Sequence, residues 1–553
     1  MDGHATLPLP ARRQARAALR VGWFGAGVLA CTAAVAVFLG LQLTAWPPHE
    51  DETLALFVGR HDLLGMLGIV LGQRGGAPLH FLLAWIVAHL GGGLVGLRLV
   101  SLLLAVASVP AIALLVVRLA GRSTALLAAV LAAGTWALLF HGVYGRMYSL
   151  FLLTTVLAYG ALVDACAEGG RRRWLIWGVA TLVAISAHPY GGVVLASMAA
   201  YAAVHGRRAG RWRESLAAFA AVAVLAIPLW RTYLVLAGRF EVGVGVGGGG
   251  GERLGSAAAV RDYLRMVAGD FSMGWDAGRW AVLALAAVGL GALAARRSAG
   301  ATLAVAAIGT PAVVLVLAHV GGSASPESRH LVFALPLFAL LVAAGLLEVA
   351  RRLGPLALPA VVCATVALVV GEVSWARHKT PELFSGEPSL RVAARHNASR
   401  WLAATARRDD LLFGYDPLYL GAWERSGAFP LRVVPRADPK LALRTIRRTR
   451  APIGRGVFVL DASDNNNAAR KLTIEARSPE PATDFEVRSF GPFLIIRSTR
   501  PAGTPERYLE LAAAAEKLGR DLQIADADTN ADTVRQARLQ LAAVTSAWIH
   551  RFA

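Results

Sequence analysis

Just past the first hydrophobic stretch of the chain stand four polar residues, His49-Glu50-Asp51-Glu52. A carboxylate held there can take the proton of an attacking hydroxyl, which is the work of a general base. Further on, arginines recur beside histidines and aromatics: His80, the run His141-Gly-Val-Tyr-Gly-Arg146 with Tyr148, His188-Pro-Tyr190, and Ser328-Arg329-His330. The guanidinium fork grips a carboxylate or a phosphate through two parallel hydrogen bonds. Either Arg146 or Arg329 alone reads as a headgroup contact or a structural ion pair. Both on one side of a membrane with Asp51 read as a site. Glu52 and Glu50 are alternates to Asp51 as the base.

The elements that must carry these residues are hydrophobic helices. The chain has 553 residues, of which 56% are hydrophobic and 17% charged. Successive windows of about 20 apolar residues predict a polytopic membrane protein. Val21–Trp46 follows Arg12, Arg13, Arg16 and Arg20 and reads as a retained signal anchor. A loop is expected from there to about Gly76. Pro78–Leu90 is short. Full or nearly full spans are expected at Leu97–Leu119, Ala125–Phe140, Tyr148–Leu162, Trp174–Ala187, Gly191–Val204, Leu216–Leu236, Trp280–Ala295, Thr302–Val320, Leu331–Ala350 and Leu356–Val373. That makes about eleven spans.

Every second connection is short and rich in arginine: Arg118/Arg122, Arg171–Arg173, Arg207–Arg213, Arg296/Arg297 and Arg351/Arg352. By the positive-inside rule these face the cytoplasm, as does the N-terminus. The candidate residues and everything after Glu372 then face outward. The net charge of +20 is spent on this orientation, so no nucleic-acid partner is expected. Cys31, Cys166 and Cys363 lie far apart in apolar segments and show no metal or redox spacing. Asp164, Glu348 and Glu372 stand near segment ends. The scarcity of charge at the membrane midplane counts against ion-coupled transport.

From about Trp375 the chain turns polar. Leu411–Tyr415, Leu431–Val434, Gly456–Leu460, Phe485–Val487 and Phe493–Ile496 read as short strands. Pro505–Leu518 and Thr533–Trp548 read as helices. The expected organisation is a helical membrane domain over 1–375 and an extracytoplasmic α/β domain over 376–553. Gly243–Gly251 reads as a flexible linker. Arg444, Arg447, Arg448 and Arg450 read as a solvated helix face. Arginine far outnumbers lysine, which points to a bacterium of high GC content. The sequon Asn397-Ala-Ser399 then carries no meaning.

The combination resembles the GT-C glycosyltransferases, in the family-39-like group that includes aminoarabinose transferase and relatives of the protein O-mannosyltransferases. The resemblance spans roughly Val21 to Trp375. It rests on Asp51-Glu52-Thr53, Pro78-Leu79-His80 with Leu97-Arg98-Leu99, Gly145-Arg146-Met147-Tyr148-Ser149-Leu150, His188-Pro189-Tyr190, and Ser328-Arg329-His330-Leu331 running into Ala334-Leu335-Pro336. It implies an α-helical polytopic GT-C-like fold. It implies transfer of a sugar from a polyprenyl-phosphate donor, with inversion, to a cell-envelope glycan, lipid or protein outside the plasma membrane. Asp51 matches the family's first-loop acid, the general base, with Glu52 beside it. Arg146, Tyr148, Arg329 and His330 match donor-phosphate positions. His188, Tyr190 and His80 are expected around the substrate, although His188 equally suits the cap of a helical hairpin and His80 suits packing. Two family features are changed. An acid that often precedes Arg-Met-Tyr is Tyr144 here. The family's Asp-x-His-Pro-Pro reads Arg74-Gly75-Gly76-Ala77-Pro78. No cofactor is called for, and a divalent metal has no support in the sequence. The competing readings are a transporter or flippase of lipid-linked glycans and a non-catalytic membrane scaffold.

Overall fold

The computed structural model describes residues 22–45, 48–241, 265, 267–272, 274–320, 328–382, 388–414, 432–435, 438–461, 485–491 and 493–527. Helices dominate up to residue 405. The first, α1 (Trp23–Gln42), buries Phe24, Val28, Val35 and Leu39. Their spacing of four, seven and four follows the helical period, so one stripe packs inward and the rest stays exposed. Next come α2 (Glu50–Gly59), α3 (Leu63–Ile69), α4 (Pro78–His89), α5 (Leu94–Ala120), α6 (Arg122–Gly134), α7 (Trp136–His141) and α8 (Tyr148–Glu168). They are followed by α9 (Arg171–Ala187), α10 (Gly191–Arg208), α11 (Trp212–Leu225), α12 (Ile227–Glu241), α13 (Asp276–Ala295), α14 (Ala299–Val320), α15 (Leu335–Ala350) and α16 (Ala357–Glu382).

Among the described residues five helical segments are long and apolar enough to cross a bilayer. They are Trp23–Gln42, Leu94–Ala120, Tyr148–Glu168, Ala277–Ala295 and Arg329–Lys379; a bent pair makes a sixth. The chain is a multi-pass helical membrane protein.

Four details depart from the sequence reading. The expected loop before Gly76 is mostly helical, because α2 is capped at His49 and buries Leu54, Ala55, Leu56 and Val58. The segment Ala125–Phe140 breaks at Thr135, whose extended backbone and hydroxyl cap α7. Leu216–Leu236 bends by 55° between α11 and α12, where Pro228 cannot donate a backbone hydrogen bond. Glu372, expected near a segment end, is buried inside α16, which continues to Glu382, with Oε2 near Gly134. Gly243–Gly251, Glu327 and Thr533–Trp548 lie outside the described residues.

The C-terminal region forms a five-stranded sheet in the order β2-β1-β3-β5-β4. The strands are β1 (Leu411–Gly414), β2 (Arg432–Pro435), β3 (Ile453–Asp461), β4 (Phe485–Phe490) and β5 (Phe493–Gly503). β1 runs parallel to β2 and β3, whereas β5 is antiparallel to β3 and β4. Side chains alternate across the sheet. Leu412, Val457, Val459, Phe493 and Ile495 pack with α17 (Pro388–Thr405). Leu411, Phe413, Phe458 and Ile496 pack on the other face with α18 (Pro439–Arg448) and α19 (Pro505–Ala527). Arg444, Arg447 and Arg448 lie on the exposed face of α18.

Candidate active site

The first turn of α2 is organised by a reciprocal cap. His49 Nδ1 accepts from the Asp51 amide at 3.2 Å, and Glu52 Oε2 accepts from the His49 amide at 2.9 Å. This turns adjacent acids in different directions, about 100° apart on a helix.

Glu52 points into the bundle and is fully buried. Arg98, in the first turns of α5, reaches it with a bidentate fork, Nε to Oε1 and Nη2 to Oε2, both at 2.8 Å. The Gly145 amide donates to Oε1 at 2.7 Å. Arg98 Nη1 also donates to the Leu43 carbonyl at 3.2 Å. One arginine thus joins the end of α1, the start of α2 and the turn before α8. A side chain at position 145 would meet Glu52 Oε1 and Leu97, each at 3.0 Å, so the close approach requires glycine. With four donors on its two oxygens, Glu52 has no place for the proton of an outside hydroxyl. Its geometry is that of a scaffold carboxylate.

Asp51 is placed otherwise. Its Oδ2 is 3.3 Å from Arg146 Nη2 and accepts from the Tyr144 hydroxyl at 3.2 Å. Its Oδ1 has no hydrogen-bond partner among the described residues, and the side chain is 21% exposed. Burial works against the charge on Asp51. Arg146 first, then His49, Arg329 and Arg74, outweigh it and hold the carboxyl well below the usual range. The Tyr144 hydroxyl also lies 2.8 Å from His49 Nδ1, so its single proton is shared between a ring nitrogen and a carboxylate. Burial, with Asp51 beside it, pushes the Tyr144 phenol up, and burial lowers His49. Both stay neutral near pH 7.

Arg146 sits in the turn between α7 and α8, with its carbonyl accepting from Ser101 Oγ at 3.3 Å. Its Nη1 reaches the Asp51 carbonyl at 3.5 Å. Its Nε is buried and has no hydrogen-bond partner among the described residues. Arg329 lies with its guanidinium 5.5 Å from the centre of the Tyr148 ring, a cation–π distance. Around the same ring stand His141 at 4.6 Å, His188 at 5.7 Å and His330 at 6.2 Å. Tyr190 is 5.0 Å from His330.

The expected residues therefore converge. Asp51, Arg146, Tyr148, His188, Tyr190, Arg329 and His330 form one connected patch at one end of the bundle. His80 is buried on α4 and close enough to feel Arg146, Arg74 and Asp51. His188 does both things the sequence left open. Its Nδ1 accepts from the Tyr190 amide at 3.1 Å, capping the turn, while its ring joins the aromatic patch. Sequence reasoning gave no role to Tyr144, Arg98 or His49. Arg98 carried a signal: an arginine in the first turns of a long apolar helix needs a carboxylate partner. Among the described residues no group of three or more His, Cys, Asp or Glu is arranged to hold a metal ion.

Residues 75–231 match the family of dolichyl-phosphate-mannose-protein mannosyltransferases. Among solved structures, ArnT from Cupriavidus metallidurans bound to undecaprenyl phosphate is similar at 16% identity. The match covers 85% of this chain and 97% of that one, with a TM-score of 0.56. The same protein in its apo state gives 14% identity, the same coverage and the same TM-score. No curated protein sequence matches. At such identity the likeness is one of fold.

Proposed function

We propose that this chain, which shares the fold of a GT-C glycosyltransferase and carries a matching family segment over residues 75–231, is a membrane glycosyltransferase that uses a polyprenyl-phosphate-linked sugar. The acceptor is a hydroxyl-bearing glycan, lipid or protein of the cell envelope. The reaction takes place on the outer side of a bacterial plasma membrane. The topology is that of about eleven spans, with the N-terminus cytoplasmic and residues 376–553 as an extracytoplasmic domain.

The observation that carries this reading is the division of labour at Asp51. Oδ2 is fixed by Arg146 and Tyr144, while Oδ1 is open. A carboxylate oxygen without a partner among the described residues has a lone pair that can accept a proton. In the proposed step an acceptor oxygen attacks the anomeric carbon from the face opposite the phosphate, and its proton passes to Asp51 Oδ1. The bond from carbon to phosphate oxygen breaks, and the configuration inverts. Negative charge gathers on the departing lipid phosphate. Arg146, whose buried Nε has no acceptor among the described residues, and Arg329 are the preorganised cations for that charge. Tyr148, His330, His188, Tyr190 and His80 surround the donor. Glu52 positions the helix that carries Asp51. The undecaprenyl phosphate bound by the similar ArnT is of the class of lipid carrier that such a donor would leave behind.

The test is transfer from a polyprenyl-phosphate sugar by the purified full chain. Asp51→Asn keeps the size and loses the basicity, so the rate should fall by roughly 10²–10⁴-fold with polyprenyl-phosphate binding retained. Undiminished transfer in Asp51→Asn would remove Asp51 from the chemistry.

A further inference from the structure

Arg74 ends a π-helical turn, Val70–Arg74, and is followed by two glycines. Such turns occur often at functional sites. Gly75 and Gly76 hold φ of 71° and 110°, conformations that side chains disfavour. A Cβ at Gly75 would collide with the Thr232 carbonyl of α12. Thr232 Oγ1 donates to the Gly76 carbonyl at 3.2 Å. The backbone beyond Arg74 is thus pinned to the second half of the bent helix pair.

The side chain is held from elsewhere. Its guanidinium lies 4.6 Å from the centre of the Phe81 ring, and Nη1 donates to the Gly75 carbonyl at 3.4 Å. Its Nε is 3.9 Å from Oδ2 of Asp438, some 360 residues further along the chain. Asp438 belongs to the C-terminal sheet region. Its Oδ1 accepts from the Leu441 amide at 3.1 Å and caps α18. Asp438 and Arg74 are 1% and 9% exposed. Beside them Leu441 enters the same apolar cluster as Leu54, Leu56 and Phe81 of the first-loop helices.

A buried ion pair rarely stabilises more than apolar packing of the same volume. Leu441 already supplies an apolar contact between the sheet region and the first-loop helices. What the pair adds is the position of one charge: the guanidinium rests on Phe81, next in the chain to His80, and its field reaches both His80 and Asp51. We propose that the C-terminal sheet region is a working part of the donor site, with Asp438 the positioning residue that fixes Arg74 as a third guanidinium beside Arg146 and Arg329. The inference rests on the donor reading above.

The test uses the full chain in detergent and undecaprenyl phosphate as the probe. Asp438→Asn should weaken binding roughly ten- to hundredfold, the cost of misplacing a positioned group by about an ångström. Arg74→Gln should lose at least as much. The double variant should bind no worse than Arg74→Gln, since Asp438 acts only through Arg74. Asp438→Glu should recover most of the affinity. Leu441→Ala loosens the docking without touching the charges, and should lower the melting midpoint while leaving affinity within a factor of about two. Wild-type protein that does not bind the lipid phosphate overturns the donor reading and this inference with it. Wild-type binding matched by Asp438→Asn overturns the inference alone. So does an additive loss in the double variant, or a Leu441→Ala defect as large as that of Asp438→Asn.

Discussion

Glu348 and Glu52, at opposite ends of the helical bundle, are paired in opposite ways. At the arginine-rich end, Arg296 and Arg351 both reach Glu348, at 2.6 and 2.9 Å, with the arginine side chains 50% and 58% exposed. At the other end, Arg98 and Glu52 are 3% and 0% exposed, and Arg146 and Arg74 are also buried against their carboxylates. Exposed pairs contribute little to stability. Buried pairs need exact partners and strand a charge when one partner is removed. The contrast separates exposed charges from charges that organise the first-loop helices.

The contrast is sharpest at Glu52. Glu52→Gln leaves the Arg98 guanidinium buried against a neutral amide, which should cost about 3–5 kcal/mol. Thermal unfolding of the purified protein measures this, and an unchanged midpoint would mean that the buried end is no more demanding than the exposed one. A smaller effect is expected from Tyr144→Phe. It removes one hydroxyl from a charged carboxylate, an interaction of about 1.5–3 kcal/mol. Transfer should slow by about tenfold or more, with the melting midpoint falling less than in Glu52→Gln; a pure loss of stability at full rate would assign Tyr144 to the scaffold instead. The smallest change belongs to the exposed end. Arg296→Ala should shift stability by less than about 1 kcal/mol and leave transfer untouched. A larger loss there would dissolve the distinction between the two ends.

The sequence displayed parts of this arrangement and hid others for physical reasons. Arg146 and Arg329 were legible because arginine at the span ends opposite the arginine-rich loops runs against the charge alternation of the connections. The strands were legible because Leu411–Gly414 and Phe493–Ile496 alternate their side chains between two helix-covered faces. The helical first loop was not, since histidine is an unusual N-cap and the box His49…Glu52 lacks the usual serine or threonine. Tyr144 stood where an acid was expected, and only distance shows that its hydroxyl reaches Asp51. The start of α18 did carry a signal, Asp438 followed by Pro439 at the first helical position. Its partner Arg74 was invisible, because nothing local in a chain announces an ion pair between its first loop and its tail.

Arg98 also fixes an order of assembly. Glu52 lies 46 residues before it and 93 before Gly145, and Asp51 lies 93 before Tyr144. During synthesis from the N-terminus, the acidic turn of α2 emerges long before its guanidinium and amide partners. Until α5 arrives, Glu52 is an unpaired charge that belongs in water. Its withdrawal into the bundle marks the moment when the first helices stop being separate insertions and become one closed unit.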